Sequence, residues 1–485
     1  MKPTVCLLAS EAAPLSKTGG LADVSASLTK YLHAAGHDVR LFTPFYSSID
    51  RTRIRTQPVD GLRDLQLELG LHRYRFSVYG TQLPQCAAPV YLIHCPELFA
   101  RKTLYTADPD EHLRFLAFTR AAFACCQHLG WAPDILHCND WHTALAPLFL
   151  KASYDWDRLF ARTRSVLTIH NIGYQGAFSA ASVGDLNLAS RSHFLHQDDL
   201  RAGIINPLKH GILYADAITT VSPTHAREIS TDEYGMGMQQ VLRTRANALT
   251  GILNGVDYDE WDPRNDRYLP RHFDPDSLQV KAELKRELLA RLGFTAAPQT
   301  PLAGLVSRFA SQKGIDLMFE SLPEVLRWRD LSVLALGSGD SQYESFFAEL
   351  AAEFPGRVVY RRGYDDELAH WIEAASDMFL MPSLYEPCGL NQMYSLRYGT
   401  VPIVRKTGGL ADSVEPYDPN TGFGTGVVFN DFNSEGFEWA LNTALDLYAA
   451  PTHWQRLVRN GMSRDFSWNR QGALYVQLYE KLLAT

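Results

Sequence analysis

The chain predicts an α/β protein built from two doubly wound parallel sheets. Three observations carry that expectation. Short apolar runs alternate with helix-length amphipathic segments through both halves of the sequence. Glycine-rich or polar loops follow those runs, at the edge where open parallel sheets take their ligands. One string of seven residues, Lys-Thr-Gly-Gly-Leu-Ala-Asp, stands at 17–23 and again at 406–412.

The first half reads in order. Residues 5–9 are continuously apolar, as a strand buried on both faces is. A loop at 10–20 leads to a helix at 21–35, and Gly36-His37-Asp38 ends it before a strand at 39–42. That is a βαβ unit with its glycine loop at the carboxyl end of the first strand. Residues 50–100 read as strands and hairpins. Residues 100–110 have no pattern and read as a mobile loop, and 111–129 as a helix. A strand at 134–138 gives way to Asn139-Asp140-Trp141-His142. A strand at 166–169 is followed by His170-Asn171-Ile172-Gly173-Tyr174-Gln175-Gly176. After a strand at 217–221, Ser222-Pro223 is a good N-cap and first-turn pair. Residues 258–276, rich in Asp, Pro, Arg and aromatics, read as a linker between domains.

The second half repeats the logic. A strand at 302–306 precedes a polar loop at 307–314 and a helix to about residue 327. A strand at 331–336 is expected to end in a turn at Gly337-Ser338-Gly339-Asp340. Strands at 358–360, 378–381 and 401–404 each lead to a loop and a helix, the last loop being the second heptad. Residues 437–448 and 472–483 read as amphipathic helices, and the last could cross back to the first domain.

Composition narrows the function classes. A chain of 485 residues predicts two to three domains. With 46% hydrophobic and 21% charged residues it is globular. A net charge of −8 argues against a broad nucleic-acid surface. No apolar run reaches membrane length. Seven scattered cysteines, with no paired metal spacing and no leader-like run, fit a reducing cytoplasm.

Within each heptad, paired glycines let the backbone turn sharply and approach a ligand. A helix opening there would point amide groups at an anion, with Lys17 or Lys406 adding charge. The plainer reading is two ordinary strand-to-helix turns with solvated lysines. Neither copy matches the Walker pattern. Arg308 and Lys313 suit a diphosphate, or are a solvated basic pair. Glu386 precedes Pro-Cys-Gly at an expected helix start, where a carboxylate could accept hydrogen bonds from sugar hydroxyls or merely complement the dipole. His170 ends a buried strand and is either functional or a satisfied core residue. Cys388 has no marked base, so thiol chemistry is not expected. Gly337-x-Gly339 lacks the third glycine of a dinucleotide fingerprint. Asp108-x-Asp110 has no clear third ligand, so no metal is expected.

With these residues in place, the chain resembles the bacterial glycogen synthases and the wider glycogen/starch synthases that use ADP-glucose. The resemblance covers essentially the full length. It rests on 16–23, 139–142, 170–176, Ser307-Arg308-Phe309 with Gln312-Lys313-Gly314, Glu386-Pro387-Cys388-Gly389-Leu390, and 406–410. It implies a GT-B fold, two Rossmann-like domains facing a deep cleft: 1–257 on the acceptor side, 258–464 for the nucleotide sugar, and 465–485 as a helix returning to the first domain. It implies that Lys17, Gly19, Gly20 and Asp23 bind the donor phosphates or sugar, and that Arg308 and Lys313 hold the leaving diphosphate. Thr407, Gly408 and Gly409 would offer backbone or hydroxyl donors to that diphosphate. Tyr364 would lie against adenine, and Glu386 would orient glucose. His170 and Asp140 would sit by the sugar, and Asn254, Cys388, Gly389 and Leu390 would complete the donor site. Many retaining glycosyltransferases carry a second Glu eight positions on, which here is Tyr394. The implied activity is glucose transfer from ADP-glucose to the non-reducing end of an α-1,4-glucan, with no metal or other cofactor. Alternatives are a GT-B transferase using UDP-glucose or another acceptor, a glucan phosphorylase, and a non-catalytic glucan or nucleotide-sugar binder. The implied partners are ADP-glucose and glycogen, with no nucleic acid and no membrane; nothing in the sequence sets an oligomeric state.

Overall fold

A computed structural model describes residues 2–484. The chain forms two compact units, Met1–Gly255 with Trp468–Thr485, and Val256–Ser467.

The first unit is built on seven parallel strands: β1 (Val5–Leu8), β2 (Val39–Pro44), β3 (Val90–His94), β4 (Ile135–Asn139), β5 (Arg164–Ile169), β6 (Ala217–Thr220) and β7 (Leu249–Gly251). Their spatial order is β3-β2-β1-β4-β5-β6-β7, and the antiparallel strands Gln57–Pro58, Leu65–Leu69 and His72–Thr81 extend the β3 edge. β1 pairs with β2 on one side and β4 on the other. The chain order reverses between β1 and β4, so the loops leaving those two strands part to opposite faces and leave a crevice at their carboxyl ends. All four β1 side chains are buried, which is why the run shows no alternation.

The terminal helix Trp468–Leu483 belongs to this unit. Gly472 lets it press against Tyr31 of helix Gly20–Ala34: a Cβ there would lie 2.3 Å from the Tyr31 ring. Tyr479 reaches the sheet, where its hydroxyl meets His137 Nδ1 at 2.6 Å. His137 Nε2 meets Thr168 Oγ1 at 2.6 Å, and Thr168 meets Thr219 at the same distance. Three strands and the helix thus share one buried polar chain, each member of which satisfies the next.

The second unit holds β8 (Leu302–Phe309), β9 (Ser332–Gly339), β10 (Val358–Arg362), β11 (Met378–Met381), β12 (Val401–Arg405) and β13 (Val427–Phe429), all parallel, in the order β10-β9-β8-β11-β12-β13. The plan is the same, with its reversal between β8 and β11.

Three expectations need correction. Residues 258–276 are no linker: Asp262, Asp266, Leu269 and Phe273 are buried in the second unit. Trp261 there stacks between His370 (3.7 Å between ring centroids) and Tyr394 (4.0 Å). Gly337 and Gly339 do not make a turn but continue β9. They are needed because β8 runs very close; a Cβ on either would lie about 2 Å from the carbonyl oxygen of Ser307 or Phe309. β8 consequently reaches Phe309 and carries Arg308 on its last turn of pleat. Finally, residues 100–110 are tied down: Arg101 pairs with Asp108 and Asp110 at 2.7 and 2.6 Å, and Tyr105 and Thr106 bond to Glu11 and Glu111. Among the described residues, no helix is long and apolar enough to cross a membrane.

Candidate active site

Each switch point collects residues singled out in the sequence. In the first unit, the loop after β1 carries the first heptad. Lys17 pairs with Asp23 at 2.8 Å. Thr18 is clamped by Glu11, whose carboxylate accepts both the Thr18 amide and its hydroxyl (2.8 Å). Tyr105 holds the same carboxylate at 2.7 Å and meets Ser10 Oγ at 2.8 Å. Gly19 is extended and N-caps the fifteen-residue helix that Gly20 begins. Sequence reasoning missed Glu11 and Tyr105, because neither lies in a recurring string and the two meet across 94 residues of chain.

The loop after β4 brings Asp140 to the same edge. Its φ is +52°, a left-handed conformation that costs a non-glycine residue energy. The turn aims its carboxylate at the end of β5, where Oδ1 accepts the amides of His170 (2.7 Å) and Asn171 (3.4 Å). Burial nonetheless pushes the Asp140 carboxyl up to about 7, the two amides pulling the other way. His170 is buried too, and burial pushes its imidazole down to about 3. It is therefore neutral at pH 7. Asn139 donates its amide to Leu8 O at 3.0 Å and so presents Oδ1 to His170 Nε2 at 2.8 Å. That fixes the Nε2–H tautomer and leaves Nδ1 as an acceptor. Asn254, after β7, is 4% exposed and its Oδ1 has no hydrogen-bond partner. A hydroxyl donor from a ligand would satisfy it.

In the second unit, Lys313 and Glu386 meet at the β8/β11 switch point, with Nζ 2.7 Å from Oε2. Ser383 donates to the same oxygen at 3.1 Å. The turn carrying Lys313 is docked on the Glu386 loop: Leu384 N–H donates to Gln312 O (2.9 Å), and Gln312 Nε2 donates to Tyr385 O (3.1 Å). Gly314 allows this, having φ +68° and no room for a Cβ beside Pro382 O. Arg308 is exposed at the end of β8 and forms no ion pair with any described residue. One fixed and one exposed cation thus stand at the sheet edge.

Glu386 is not at a helix start, as the sequence suggested. The helix begins at Asn391, after Pro387 and a left-handed Gly389 (φ +70°) have turned the chain. Gln392 fills that turn by donating to Cys388 O and Gly389 O. Cys388 is buried and Leu390 is the N-cap residue. The second heptad packs on this same loop. Gly409 N–H donates to Glu386 O at 3.0 Å and Thr407 N–H to Arg405 O at 3.0 Å. Those two backbone donors are turned into the protein, which leaves the Thr407 hydroxyl and the Gly408 amide as the donors of this loop that the expectation still concerns. A Cβ on Gly408 would lie 2.0 Å from Glu386 O. Tyr364 follows β10, is 69% exposed, and donates its hydroxyl to Asp366 Oδ1 at 2.8 Å. Asp108 and Asp110 are both claimed by Arg101.

A neutral imidazole and a high-pKa carboxyl at one edge, and a lysine–carboxylate couple with a free-standing arginine at the other, suit the handling of a polyhydroxy substrate and a phosphate leaving group. Comparison with known proteins agrees. Residues 4–244 match the starch synthase catalytic domain, and 294–461 match glycosyl transferases group 1. The glycogen synthase of Koribacter versatilis is 44% identical, with 98% of each chain covered, and that of Thermotoga maritima is 40% identical, with 99% of each covered. Among solved structures, the catalytic domain of starch synthase IV from Arabidopsis thaliana, bound to ADP and acarbose, superimposes with a TM-score of 0.92 at 35% identity over all of both chains. Sucrose-phosphate synthase from Thermosynechococcus elongatus (TM-score 0.64, 19% identity, all of both chains) shares the fold. The chain is a GT-B glycosyltransferase and belongs to the glycogen and starch synthase family.

Proposed function

We propose that the chain moves glucose from ADP-glucose to the 4-hydroxyl at the non-reducing end of an α-1,4-glucan, releasing ADP with retention at C1. The observation that carries this is the 2.7 Å Lys313–Glu386 couple beside Arg308 at the second switch point. Glucosyl transfer breaks the bond from C1 to the diphosphate oxygen. Negative charge gathers on the leaving diphosphate and positive charge on the ring. Lys313, already held at the sheet edge, and Arg308, which is free to reach the phosphates, stabilise the first. Glu386, fixed by Lys313 and Ser383, accepts hydrogen bonds from glucose hydroxyls. The acceptor oxygen attacks C1 on the face that the phosphate leaves, and its proton passes to the departing phosphate oxygen.

Lys17, paired with Asp23 beside Gly19 and Gly20, binds the donor phosphates or sugar. Thr407, Gly408 and Gly409 support the diphosphate chiefly by holding the Glu386 loop, to which Gly409 bonds directly. Tyr364 lies against adenine, and Cys388, Gly389 and Leu390 shape the donor site. His170, Asp140 and Asn254 bond to sugar hydroxyls. The two cations do the work a metal would otherwise do, so the transfer needs no metal or other cofactor. ADP-glucose and glycogen are the partners, and the cytoplasm, where both substrates would be found, is the compartment.

The test is incorporation of labelled glucose into glycogen from ADP-glucose and from UDP-glucose, side by side. Wild type uses ADP-glucose strongly, and Lys17→Ala greatly weakens that use. Arg308→Ala and Lys313→Ala each lower turnover by about a hundredfold or more, and chelator treatment leaves it unchanged. Equal rates from both donors overturn the donor assignment. Turnover within a few-fold of wild type in both cation variants overturns the leaving-group assignment.

A further inference from the structure

Among the described residues of the second unit, one group of histidine and carboxylate side chains outside this site has the makeup of a metal site. Glu260, Asp366 and His370 offer ligand atoms that all lie within 4.8 Å of one another. Asp366 and His370 are four apart in helix Asp366–Ala375, so they project from one face, the spacing at which helices present paired metal ligands. Glu260 is brought in by its neighbour Trp261, stacked on the His370 ring.

His370 is fully buried. Its Nδ1 lies 2.8 Å from Asp266 Oδ2, and that carboxylate oxygen also accepts the Tyr398 hydroxyl at 2.6 Å. A carboxylate can only accept, so Nδ1 donates, and in the neutral imidazole Nε2 carries the lone pair. Nε2 is buried with no hydrogen-bond partner. An imidazole oriented by a carboxylate behind it, with its other nitrogen bare, is the arrangement that supports a bound metal.

We propose that Glu260, Asp366 and His370 Nε2 bind a divalent first-row transition ion, best served by zinc. Two carboxylates and an imidazole suit zinc, and the imidazole disfavours magnesium and calcium. Three protein ligands leave a fourth position for water. Donors at zinc-bond length sit about 3–3.5 Å apart, so the group must contract by up to about 1.5 Å, much of which the exposed Glu260 side chain can supply. Asp366 also accepts from Tyr268 (2.7 Å) and Tyr364 (2.8 Å), contacts its second lone pairs can keep. Two features oppose the ion: Arg267 lies close enough for its charge to act on both carboxylates, and the helix N-terminus is positive. The affinity is therefore on the order of micromolar, below that of sites whose zinc drives folding.

The test uses the full chain, stripped with chelator and dialysed, and titrated calorimetrically with zinc and with magnesium. One zinc per chain is expected, with no comparable magnesium binding. Glu260→Gln and Asp366→Asn are each expected to weaken zinc binding at least about tenfold. Both side chains are at least partly exposed, and matching wild-type melting in metal-free buffer confirms that the variants fold. No zinc binding overturns the proposal. So does binding that both variants keep at wild-type affinity, which would place the ion among the other histidines, and so does magnesium binding as tight as zinc.

Discussion

Asp140 shows most directly how the fold sets the chemistry of one side chain. Its left-handed backbone delivers the carboxylate to the His170 amide, yet the same burial makes ionisation costly. The folded protein keeps that proton up to about pH 7, the unfolded chain only to about 3.9. Between those values the folded state binds more protons, so stability falls as pH rises through the window and stays reduced above it. Asparagine tolerates the same backbone and still accepts the amide. Asp140→Asn is therefore expected to be more stable than wild type at pH 8, by on the order of 2 kcal/mol, with the gain shrinking toward pH 4. Thermal melts at both pH values check this. A gain independent of pH would remove burial of the charge as its cause.

At the scale of elements, two identical heptads meet different demands. Gly19 is extended with nothing within 4 Å of a would-be Cβ, whereas Gly408 is left-handed (φ +42°) against Glu386 O. The first glycine pair opens a long helix; the second is a close contact that sets the Glu386 loop. Gly19→Ala is expected to change stability by less than about 1 kcal/mol. Gly408→Ala must shift backbone against backbone and is expected to cost more than about 2 kcal/mol. Denaturant unfolding of the pair decides it, and equal losses would mean that the two copies serve one structural purpose.

At the scale of the whole molecule, the last helix belongs to the core of the first unit although it lies more than two hundred residues beyond it. Trp468, Tyr475 and Tyr479 are buried there, and Tyr479 ends the polar chain through His137. Removing residues 468–485 uncovers that face and takes from His137 Nδ1 its Tyr479 partner. The truncated chain is expected to lose cooperative melting and most of its soluble yield. Tyr479→Phe, which removes the hydroxyl alone, is expected to cost about 1–3 kcal/mol. A truncated chain that melts like wild type would mean that the helix merely rests on the unit.

The sequence alone determined the class of fold and the family, because alternating strand and helix periods and loops at strand ends are local features. It also placed Lys17, Asp140, His170, Arg308, Lys313 and Glu386 at the edge where ligands bind, since strand ends can be read from apolar runs. Tertiary structure decided the rest. The Tyr105 bond to Glu11, the docking of Gly408 on Glu386, and the Trp261 stack in the supposed linker all join residues well separated in the chain. Gly337 and Gly339 looked like a turn and proved to be strand, because what they accommodate is a neighbouring backbone. Local pattern reports what a residue's own backbone prefers; what it must make room for is known only once the neighbours are in place.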